Sequence, residues 1–311
     1  MPSKNSSKHW VVTGGAGFIG SEVVRLLVRQ KQRVTVLDNF STSSPENLKE
    51  MKGKIKIIRG SILDEKQLKK AFRGADYVLH LAAIASVAQS FQNPTEVFHV
   101  NWQGTACVLE QARKAQVKRV LFISSSSVYG MGGKNAQKET SRTKVLSPYA
   151  LTKLLGEDLC QFYHNVYGLE TITVRCFNIY GSAQPANSAY AAVLAKWSAL
   201  LKKNKSISIN GDGLQTRDFL HVTDTARAIV LAAKKGKSGE VYNIASGKSI
   251  TLLQVVKLFE ELTGRQIDLK FLNAREGDVR YSCGYIGKLK KLGFTPKVPL
   301  KIGLAELLKS R

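Results

Sequence analysis

The sequence predicts an α/β protein built on a doubly wound parallel sheet, followed by a smaller mixed α/β region. Short apolar segments rich in β-branched residues alternate with amphipathic helical segments through the first half of the chain, as expected for strands buried on both faces. The length of 311 residues, 43% of them apolar, is enough for one large domain or two smaller ones. The predicted strands are 10–13, 34–37, 55–58, 77–81, 120–123 and 171–174, and the predicted helices between them are 18–30, 65–72, 95–115 and 149–167.

Beyond residue 178 the regular alternation ends. A short strand at 241–244 is expected to return to the main sheet. We therefore expect a first domain at 1–178, with a return segment near 218–246, and a second, smaller domain at 179–311. The helices predicted in this half are 189–202, 223–234, 252–262 and 302–308.

The formal net charge of +24 is large. Such a surface attracts nucleic acid, anionic membrane or phosphorylated small molecules. Much of the charge lies in three clusters, 202–205, 234–237 and 288–291, which fall near predicted helix ends or loops and contain no interleaved aromatic residues. Solvated surfaces are therefore favoured over a nucleic-acid site.

The cysteine spacing indicates whether a metal site is present, and the apolar runs indicate whether the chain crosses a membrane. The four cysteines lie far apart and lack metal-ligand spacing, so we expect no metal site and a reducing compartment (Cys107, Cys160, Cys176 and Cys283). No apolar run is long enough to cross a bilayer, and the polar start of the chain predicts no secretory signal. A cytoplasmic protein without membrane contact is expected.

A glycine-rich segment lies where the first predicted strand passes into a helix. Gly14, Gly17 and Gly20 have the spacing Gly-x-x-Gly-x-x-Gly. Glycines let the backbone turn sharply and approach a pyrophosphate, whose charge a helix N-terminus stabilises. The position after a strand favours this interpretation over a plain tight turn.

Asp38 ends the next predicted strand, eighteen residues after Gly20. A carboxylate there accepts hydrogen bonds from both ribose hydroxyls of a dinucleotide and repels a 2′-phosphate, which favours NAD over NADP. The alternative interpretation is that Asp38 caps the loop 39–44.

Tyr149 and Lys153 lie four residues apart on one predicted helix, so they share a face. A tyrosine is a poor base at neutral pH, but an ammonium group one turn away favours its phenolate. The serine run 124–127 follows a predicted strand and offers a hydroxyl to share the proton of an alcohol substrate. The alternative is a surface tyrosine–lysine pair beside a serine-rich turn.

Together these motifs resemble the extended short-chain dehydrogenases/reductases of the NAD-dependent epimerase/dehydratase family, which have a Rossmann-type fold. The resemblance also covers residues 80–83, 101–105, 175–178, 211–213, 217–219 and 275–279. It implies that Tyr149 is the catalytic base, that Lys153 tunes it, and that Ser125, four residues before Tyr129, is the serine partner rather than Ser124 or Ser126. The NAD-binding positions that it implies are Gly14, Gly17, Phe18, Ile19, Asp38, Asn39, Ser61, Ile62, Leu81, Ala82, Ala83, Tyr149 and Lys153.

The resemblance also narrows the reaction. Dehydratases of the family carry an Asp-Glu pair directly after the catalytic serine or threonine, and its decarboxylases use a glutamate there, whereas this chain has Ser126 and Ser127. It therefore implies 4-epimerisation of a UDP-sugar through a 4-keto sugar. The alternatives are a uronic-acid 4-epimerase, an epimerase of another nucleotide sugar, and a family member that binds RNA through its basic surface.

Substrate contacts are implied by the same resemblance. The run 187–193 resembles the branch that interconverts UDP-N-acetylglucosamine and UDP-N-acetylgalactosamine, although an ordinary helix start is the alternative. Ser282 stands where a tyrosine excludes N-acetyl groups in glucose-only members, or it simply begins a loop. Arg217 offers a fork for phosphate oxygens, with an ion pair to Asp218 as the alternative. The implied substrate-binding positions are Ser86, Ser125, Tyr149, Asn178, Ala192, Val193, Asn210, Arg217, Arg275, Asp278 and Ser282.

Two positions depart from the family pattern. Ser61 replaces an aspartate that contacts the adenine, which predicts weaker NAD binding, and Asn210 replaces an aromatic residue near the uracil. The family often dimerises through two helices of each subunit, which here are 95–115 and 149–167. A homodimer is therefore expected.

Overall fold

The computed structural model describes residues 7–184, 193–274 and 279–309. The chain divides into two compact units. The first consists of the described residues up to Ser124 with 147–174 and 226–242, and the second of the described parts of 125–146, 175–225 and 243–311.

These boundaries differ from the expected domains in two places. The segment 125–146 groups with the second unit, and the return segment is confined to 226–242. The reason is a set of long-range backbone contacts. Gln137 donates its N–H to Cys283 O at 2.8 Å and accepts from Tyr285 N at 2.8 Å. Such pairing over more than 140 residues leaves no local signal in the sequence.

Thirteen strands and eleven α-helices are found in the described residues. The strands are β1 His9–Thr13, β2 Arg33–Asp38, β3 Lys56–Arg59, β4 Tyr77–His80, β5 Arg119–Ser125, β6 Glu170–Cys176, β7 Asn178–Tyr180, β8 Ile207–Asn210, β9 Thr216–Arg217, β10 Phe219–His221, β11 Glu240–Ile244, β12 Ile250–Thr251 and β13 Leu269–Leu272. The helices are α1 Phe18–Arg29, α2 Glu65–Phe72, α3 Val87–Gln92, α4 Pro94–Phe98, α5 Gly104–Lys114, α6 Pro148–Tyr167, α7 Val193–Lys202, α8 Val222–Lys235, α9 Leu252–Thr263, α10 Gly287–Lys291 and α11 Leu300–Lys309. Two 3₁₀ segments, Pro45–Met51 and Ser126–Tyr129, and one π-helical turn, His99–Gln103, are also present.

The predicted doubly wound sheet is confirmed. Seven strands are arranged in the order β11-β6-β5-β4-β1-β2-β3, and β1 pairs in parallel with both β2 and β4. Val11 in β1 lies opposite Thr35 on one side and Val78 on the other. The six strands predicted in the first half, and the returning strand, all occur within two residues of their predicted bounds. Their apolar character follows from helices packed on the sheet.

The predicted continuous helix at 95–115 is interrupted. A π-helical turn, His99–Gln103, separates α4 from α5. The side chain of Asn101 in this turn leaves the helix to bond the backbone of Ile84, and its backbone carbonyl accepts from Thr105 Oγ1 at 2.5 Å. Single π turns of this kind are common at functional sites.

Each unit has its own apolar core. In the first, helices pack onto the strands around residues such as Val78, Phe72 and Val108. In the second, Trp197 of α7 and Phe259 of α9 are fully enclosed, and Trp197 donates to Ser208 O at 3.1 Å. Three two-stranded sheets, β10-β7, β12-β9 and β13-β8, make the second unit the mixed α/β region that was predicted.

The described helices include none that is both long and apolar enough to span a membrane. No group of three potential metal ligands occurs among the described residues. All four cysteines are free thiols.

Candidate functional site

The glycine loop follows β1 and leads into α1. Gly14 has a φ of +67°, and a Cβ there would lie 2.6 Å from Ala82 N. Only glycine therefore fits without displacing the backbone that follows β4. Gly17 caps α1, and neither a side-chain cap nor an acidic residue occupies the helix's first turn. The backbone N–H groups of that turn are therefore available to an anion. The cradle fits the pyrophosphate of a dinucleotide.

Asp38 is buried at the end of β2. Its Oδ2 accepts from Ala16 N at 2.9 Å, and its Oδ1 accepts from Phe40 N at 2.8 Å and Ser43 Oγ at 3.0 Å. The loop-capping interpretation is thus present in the structure. Because an ionised carboxylate has about four acceptor positions, the same group retains capacity for a ribose hydroxyl.

The other expected cofactor positions follow the carboxyl ends of β1 to β4, which are neighbours in the sheet. Ser61 Oγ accepts from Leu63 N at 3.1 Å, and Ile62 is buried against Gly104 of α5. Asn39 is exposed and its Oδ1 accepts from Ser41 N at 3.1 Å. All the expected cofactor positions other than Tyr149 and Lys153 of α6 therefore lie at the carboxyl end of the sheet. They include Phe18, Ile19, Leu81, Ala82 and Ala83.

Tyr149 and Lys153 occupy the first turns of α6, where Ser147 caps the helix by accepting from Ala150 N at 3.1 Å. Tyr149 is 8% and Lys153 is 4% exposed, which rules against a surface pair. Lys153 Nζ donates to Ile123 O at 2.8 Å and lies 5.8 Å from the centre of the Tyr149 ring. The two side chains are therefore neighbours inside the first unit.

A buried polar chain that the sequence analysis did not assign supports α6. His80 Nδ1 bonds Thr13 Oγ1 at 2.8 Å, and His80 Nε2 bonds Thr105 Oγ1 at 3.0 Å. Asn101 Nδ2 donates to Thr152 Oγ1 at 3.2 Å, and Thr152 Oγ1 in turn donates to Tyr149 O at 2.8 Å. The only sequence signal for it is a set of polar residues inside otherwise apolar elements.

His80 is neutral in this chain. Burial, helped by the charge of Lys153, lowers the pKa of His80 to about 3. A neutral imidazole can accept at one ring nitrogen and donate at the other, as a position between two threonine hydroxyls requires.

The serine run is divided among different partners. Ser124 is buried and its hydroxyl donates to Glu157 of α6. Ser125 ends β5, is half-buried, and caps the following turn by accepting from Ser127 N at 3.2 Å. Ser127 Oγ is buried without a hydrogen-bond partner among the described residues. Ser124 is thus committed to a hydrogen bond with α6, whereas Ser125 lies at the half-buried end of the strand and bonds only its own turn among the described contacts.

In the second unit Asp218 connects three separate segments. Its buried carboxylate accepts from Ser246 N at 2.7 Å, from Gly247 N at 3.1 Å and from Gly284 N at 3.0 Å. Burial raises the pKa of Asp218. These hydrogen bonds show that Asp218 holds backbone segments in place. Asp218 is buried, so it is not one half of a surface ion pair with Arg217.

Asn178 and Ser282 meet beside this hub. Asn178 Nδ2 donates to Asp218 O at 3.2 Å and to Ser282 Oγ at 3.5 Å. Ser282 is half-buried and its N–H points to Thr216 Oγ1 at 3.4 Å. The two predicted substrate positions, 104 residues apart, are therefore neighbours.

The remaining predicted substrate positions are held separately. Arg217 Nη1 donates to Val279 O at 2.6 Å, and Asn210 Nδ2 donates to Asn273 O at 3.1 Å. Ser86 caps α3 in the first unit by accepting from Gln89 N at 3.1 Å. Val193 begins α7 and packs on the core of the second unit. Ala192, Arg275 and Asp278 lie outside the described residues.

Comparison with known proteins agrees with this geometry. The profile of the NAD-dependent epimerase/dehydratase family matches residues 10–245. A putative UDP-glucose 4-epimerase of Methanocaldococcus jannaschii is 33% identical over 96% of both chains. The human dTDP-D-glucose 4,6-dehydratase is also 33% identical, over 97% of this chain and 89% of its own. The relatives thus include enzymes of more than one reaction type.

Two solved structures resemble the whole fold. The UDP-N-acetylglucosamine 4-epimerase of Methanobrevibacter ruminantium, in complex with UDP-N-acetylmuramic acid, superposes with a TM-score of 0.93 at 36% identity over 97% of each chain. The UDP-glucose 4-epimerase of Thermus thermophilus, in complex with NAD, superposes with a TM-score of 0.89 at 30% identity over 97% of this chain and 98% of its own. Together with the glycine cradle, Asp38 and the buried Tyr149–Lys153 pair, these matches establish that the chain belongs to the NAD-dependent epimerase/dehydratase family and uses NAD as its cofactor.

Proposed function

We propose that the protein is a UDP-sugar 4-epimerase that interconverts UDP-N-acetylglucosamine and UDP-N-acetylgalactosamine. The observation that carries the proposal is the combination of a buried Tyr149–Lys153 pair with a serine strand end that has no neighbouring carboxylate in the sequence. The Tyr149–Lys153 pair can take part in the oxidation of an alcohol. The serine strand end lacks the carboxyl groups that loss of water from the sugar would require.

The proposed roles follow from the described contacts. Tyr149 takes the proton of the sugar's 4-hydroxyl and later returns it, while the ammonium of Lys153, held on Ile123 O, favours the phenolate. Ser125 offers its hydroxyl to the same substrate oxygen. The glycine loop and Asp38 would hold NAD, which would supply reversible hydride transfer at carbon 4, with the return to the opposite face inverting that carbon. Oxidation and reduction cancel, so no second substrate is needed.

The absence of an acid-base pair argues against the dehydratase reaction. Loss of water from the sugar requires a proton donor and a proton acceptor in addition to the tyrosine. Ser126 and Ser127 occupy the positions after Ser125, and a serine hydroxyl supplies neither at neutral pH.

Acceptance of an N-acetyl group is supported by Ser282. Its short side chain, half-buried beside Asn178, removes the steric barrier that a tyrosine would impose. The high similarity to a UDP-N-acetylglucosamine 4-epimerase supports the same assignment.

The test is to incubate the purified protein with UDP-N-acetylglucosamine, with and without added NAD, and to follow the sugar signals by proton NMR. We expect UDP-N-acetylgalactosamine to form with the wild type and no product with Tyr149→Phe. Turnover of UDP-glucose or UDP-glucuronate alone would overturn the N-acetyl assignment and keep the epimerase. Formation of a 4-keto-6-deoxy sugar would overturn the epimerase itself.

We also propose a homodimer formed through the helices of the first unit. Phe162, Val166 and Tyr167 of α6 are about half exposed, as is Trp102 in the turn before α5, although large apolar side chains are usually buried. A matching surface on a second copy would cover them in the twofold manner common to dimers. Light scattering of Val166→Lys beside the wild type tests this, and an unchanged mass would contradict it.

A further inference from the structure

A basic groove lies in the first unit, away from every position assigned above. It has a volume of about 1460 Å³. Its lining includes Lys66, Lys69 and Lys70 of α2, and Arg73 directly after that helix. Lys54 and Lys56, just before and at the start of β3, also line it. Arg33 and Lys114 add two further cations, whereas Glu65 is the one acidic residue among the described lining residues.

Most of these charges are not neutralised by the protein. Lys114 is paired with Glu65 at 3.1 Å and Arg33 donates to Gly74 O at 3.2 Å. The six remaining lining cations, which are Lys54, Lys56, Lys66, Lys69, Lys70 and Arg73, make no ion pair with any described residue. Holding like charges close together costs free energy that an anionic ligand would recover.

The groove lies at the opposite edge of the sheet from the cofactor positions. His9, Arg33 and Lys56 begin β1, β2 and β3, whereas the glycine loop, Asp38 and Ser61 follow the ends of the same parallel strands. A ligand in this groove therefore does not contact the NAD positions of the first unit. Binding and catalysis can be tested independently.

Helix electrostatics explains only part of the cation set. Lys69 and Lys70 lie in the last turn of α2 and Lys114 in the last turn of α5, where positive charge is favourable. Lys66 is in the first turn of α2, where positive charge is unfavourable, and Lys54 and Lys56 are not on a helix. These three cations need another explanation.

The shape and chemistry of the groove favour a single phosphodiester strand. Cations from several separate segments line this recess and can contact one phosphodiester backbone together, whereas a flat bilayer or a wide duplex contacts only the rim of a recess. The described lining residues contain no aromatic side chain other than the imidazole of His9, so bases would not be stacked on a tyrosine, phenylalanine or tryptophan, and binding would be independent of sequence. The clusters 202–205, 234–237 and 288–291, which stand out in the sequence, do not line it.

We propose that this groove binds single-stranded RNA through its phosphate backbone. The lysine and arginine side chains that line the groove hold the phosphates, and the counterions condensed on the RNA are released on binding. The surface is separate from the epimerase chemistry and gives one part of the chain's positive charge a function.

The experiment measures fluorescence anisotropy of a labelled oligouridylate of about 12 nucleotides, titrated with the NAD-loaded full-length protein at several salt concentrations. The groove variant is Lys66→Gln/Lys69→Gln/Lys70→Gln/Arg73→Gln. The matched control, Lys203→Gln/Lys205→Gln/Lys290→Gln/Lys291→Gln, removes the same charge from exposed positions outside the groove. A second groove variant, Lys54→Gln/Lys56→Gln, serves if the first does not fold.

We expect the groove variant to bind at least about tenfold more weakly at low salt and its salt dependence to fall by about 3 in log–log slope, with the control within about threefold of wild type. Sugar turnover should be the same in all folded variants. Equal losses in groove variant and control would overturn the proposal, because binding would then follow net charge alone. Equal affinity for duplex RNA, or charge-dependent binding to phosphatidylglycerol vesicles in place of RNA, would also overturn it.

Discussion

The two units hold their functional residues in different ways. In the first, the important positions come from short continuous motifs, since Gly14 to Gly20 form one loop and Tyr149 to Lys153 form one helical turn. In the second, Asn178 and Ser282 meet only because Asp218 ties together backbone segments that are distant in the chain. The first arrangement depends on local backbone geometry and the second on long-range hydrogen bonds.

Apart from Ser125, which belongs to the second unit, this difference separates the residues proposed for chemistry from those proposed for selectivity. Proton transfer needs groups at fixed spacing on a rigid element, which a single helix provides. Choice among sugars needs only that space be present or absent, which loops from several segments can adjust. We therefore expect substitutions in the first unit to remove activity or stability and those in the second to change which sugar is accepted.

The largest effect is expected from Lys153→Met, which keeps the length of the buried side chain and removes its charge. We expect turnover to fall about 10²- to 10⁴-fold and the rising limb of the pH–rate profile to move to higher pH, because the phenolate of Tyr149 loses its nearby cation. Initial rates from about pH 6 to 10, with NAD content and thermal midpoint as controls, give the answer. An unchanged rate at neutral pH would remove Lys153 from the proposed mechanism.

Gly14→Ala tests the cofactor cradle. We expect it to lower the free energy of unfolding by about 1–3 kcal/mol and to abolish NAD retention, because its Cβ would collide with Ala82. Gly74→Ala is the matched control, since Gly74 has a similar φ of +66° but no atom within 4 Å of the added Cβ. Urea unfolding and absorbance of released NAD measure both effects, and equal behaviour of the two variants would contradict the steric argument.

His80→Gln tests the buried polar chain. The folded pKa of about 3 lies below the ordinary value of 6.5, so the unfolded state binds the proton more readily and wild-type stability falls as the pH drops from about 6.5 toward 3. The slope from this group approaches about 1.4 kcal/mol per pH unit. Urea unfolding between about pH 7 and 5 should give a flatter dependence for His80→Gln than for wild type. The exposed His99→Gln should leave the slope unchanged, and a flattening in that variant instead would contradict the assignment.

The smallest effect is expected from Ser282→Tyr in the second unit. Filling the space beside Asn178 should lower turnover of the N-acetylated substrate relative to UDP-glucose by about tenfold or more, while the chemical machinery of the first unit is untouched. Ser282→Ala should keep the wild-type ratio. Competition between the two substrates in one NMR tube reports the ratio directly, and an equal loss on both would show that the position affects folding rather than selectivity.

Sequence patterns predicted both ends of every strand in the main sheet to within two residues. The reason is that buried strands and the amphipathic helices between them have strong hydrophobic patterns. The short strands β7 to β10, β12 and β13 were not predicted. They have two to four residues each and pair with distant partners, such as Ile250 of β12 opposite Arg217 of β9. Local propensity contains little information on such pairings.

The sequence by itself determined the class of sheet, the glycine cradle, Asp38 and the Tyr149–Lys153 spacing, because each depends on residues within one or two elements. Only the tertiary structure decided that Ser124 is bound to Glu157, that the neutral His80 joins Thr13 to Thr105, and that Asn178 meets Ser282. It also brought cations from four separate segments into one groove, which no single cluster in the sequence indicated. The reason is that hydrogen bonds and charge proximity act through space, whereas sequence patterns report only neighbours along the chain.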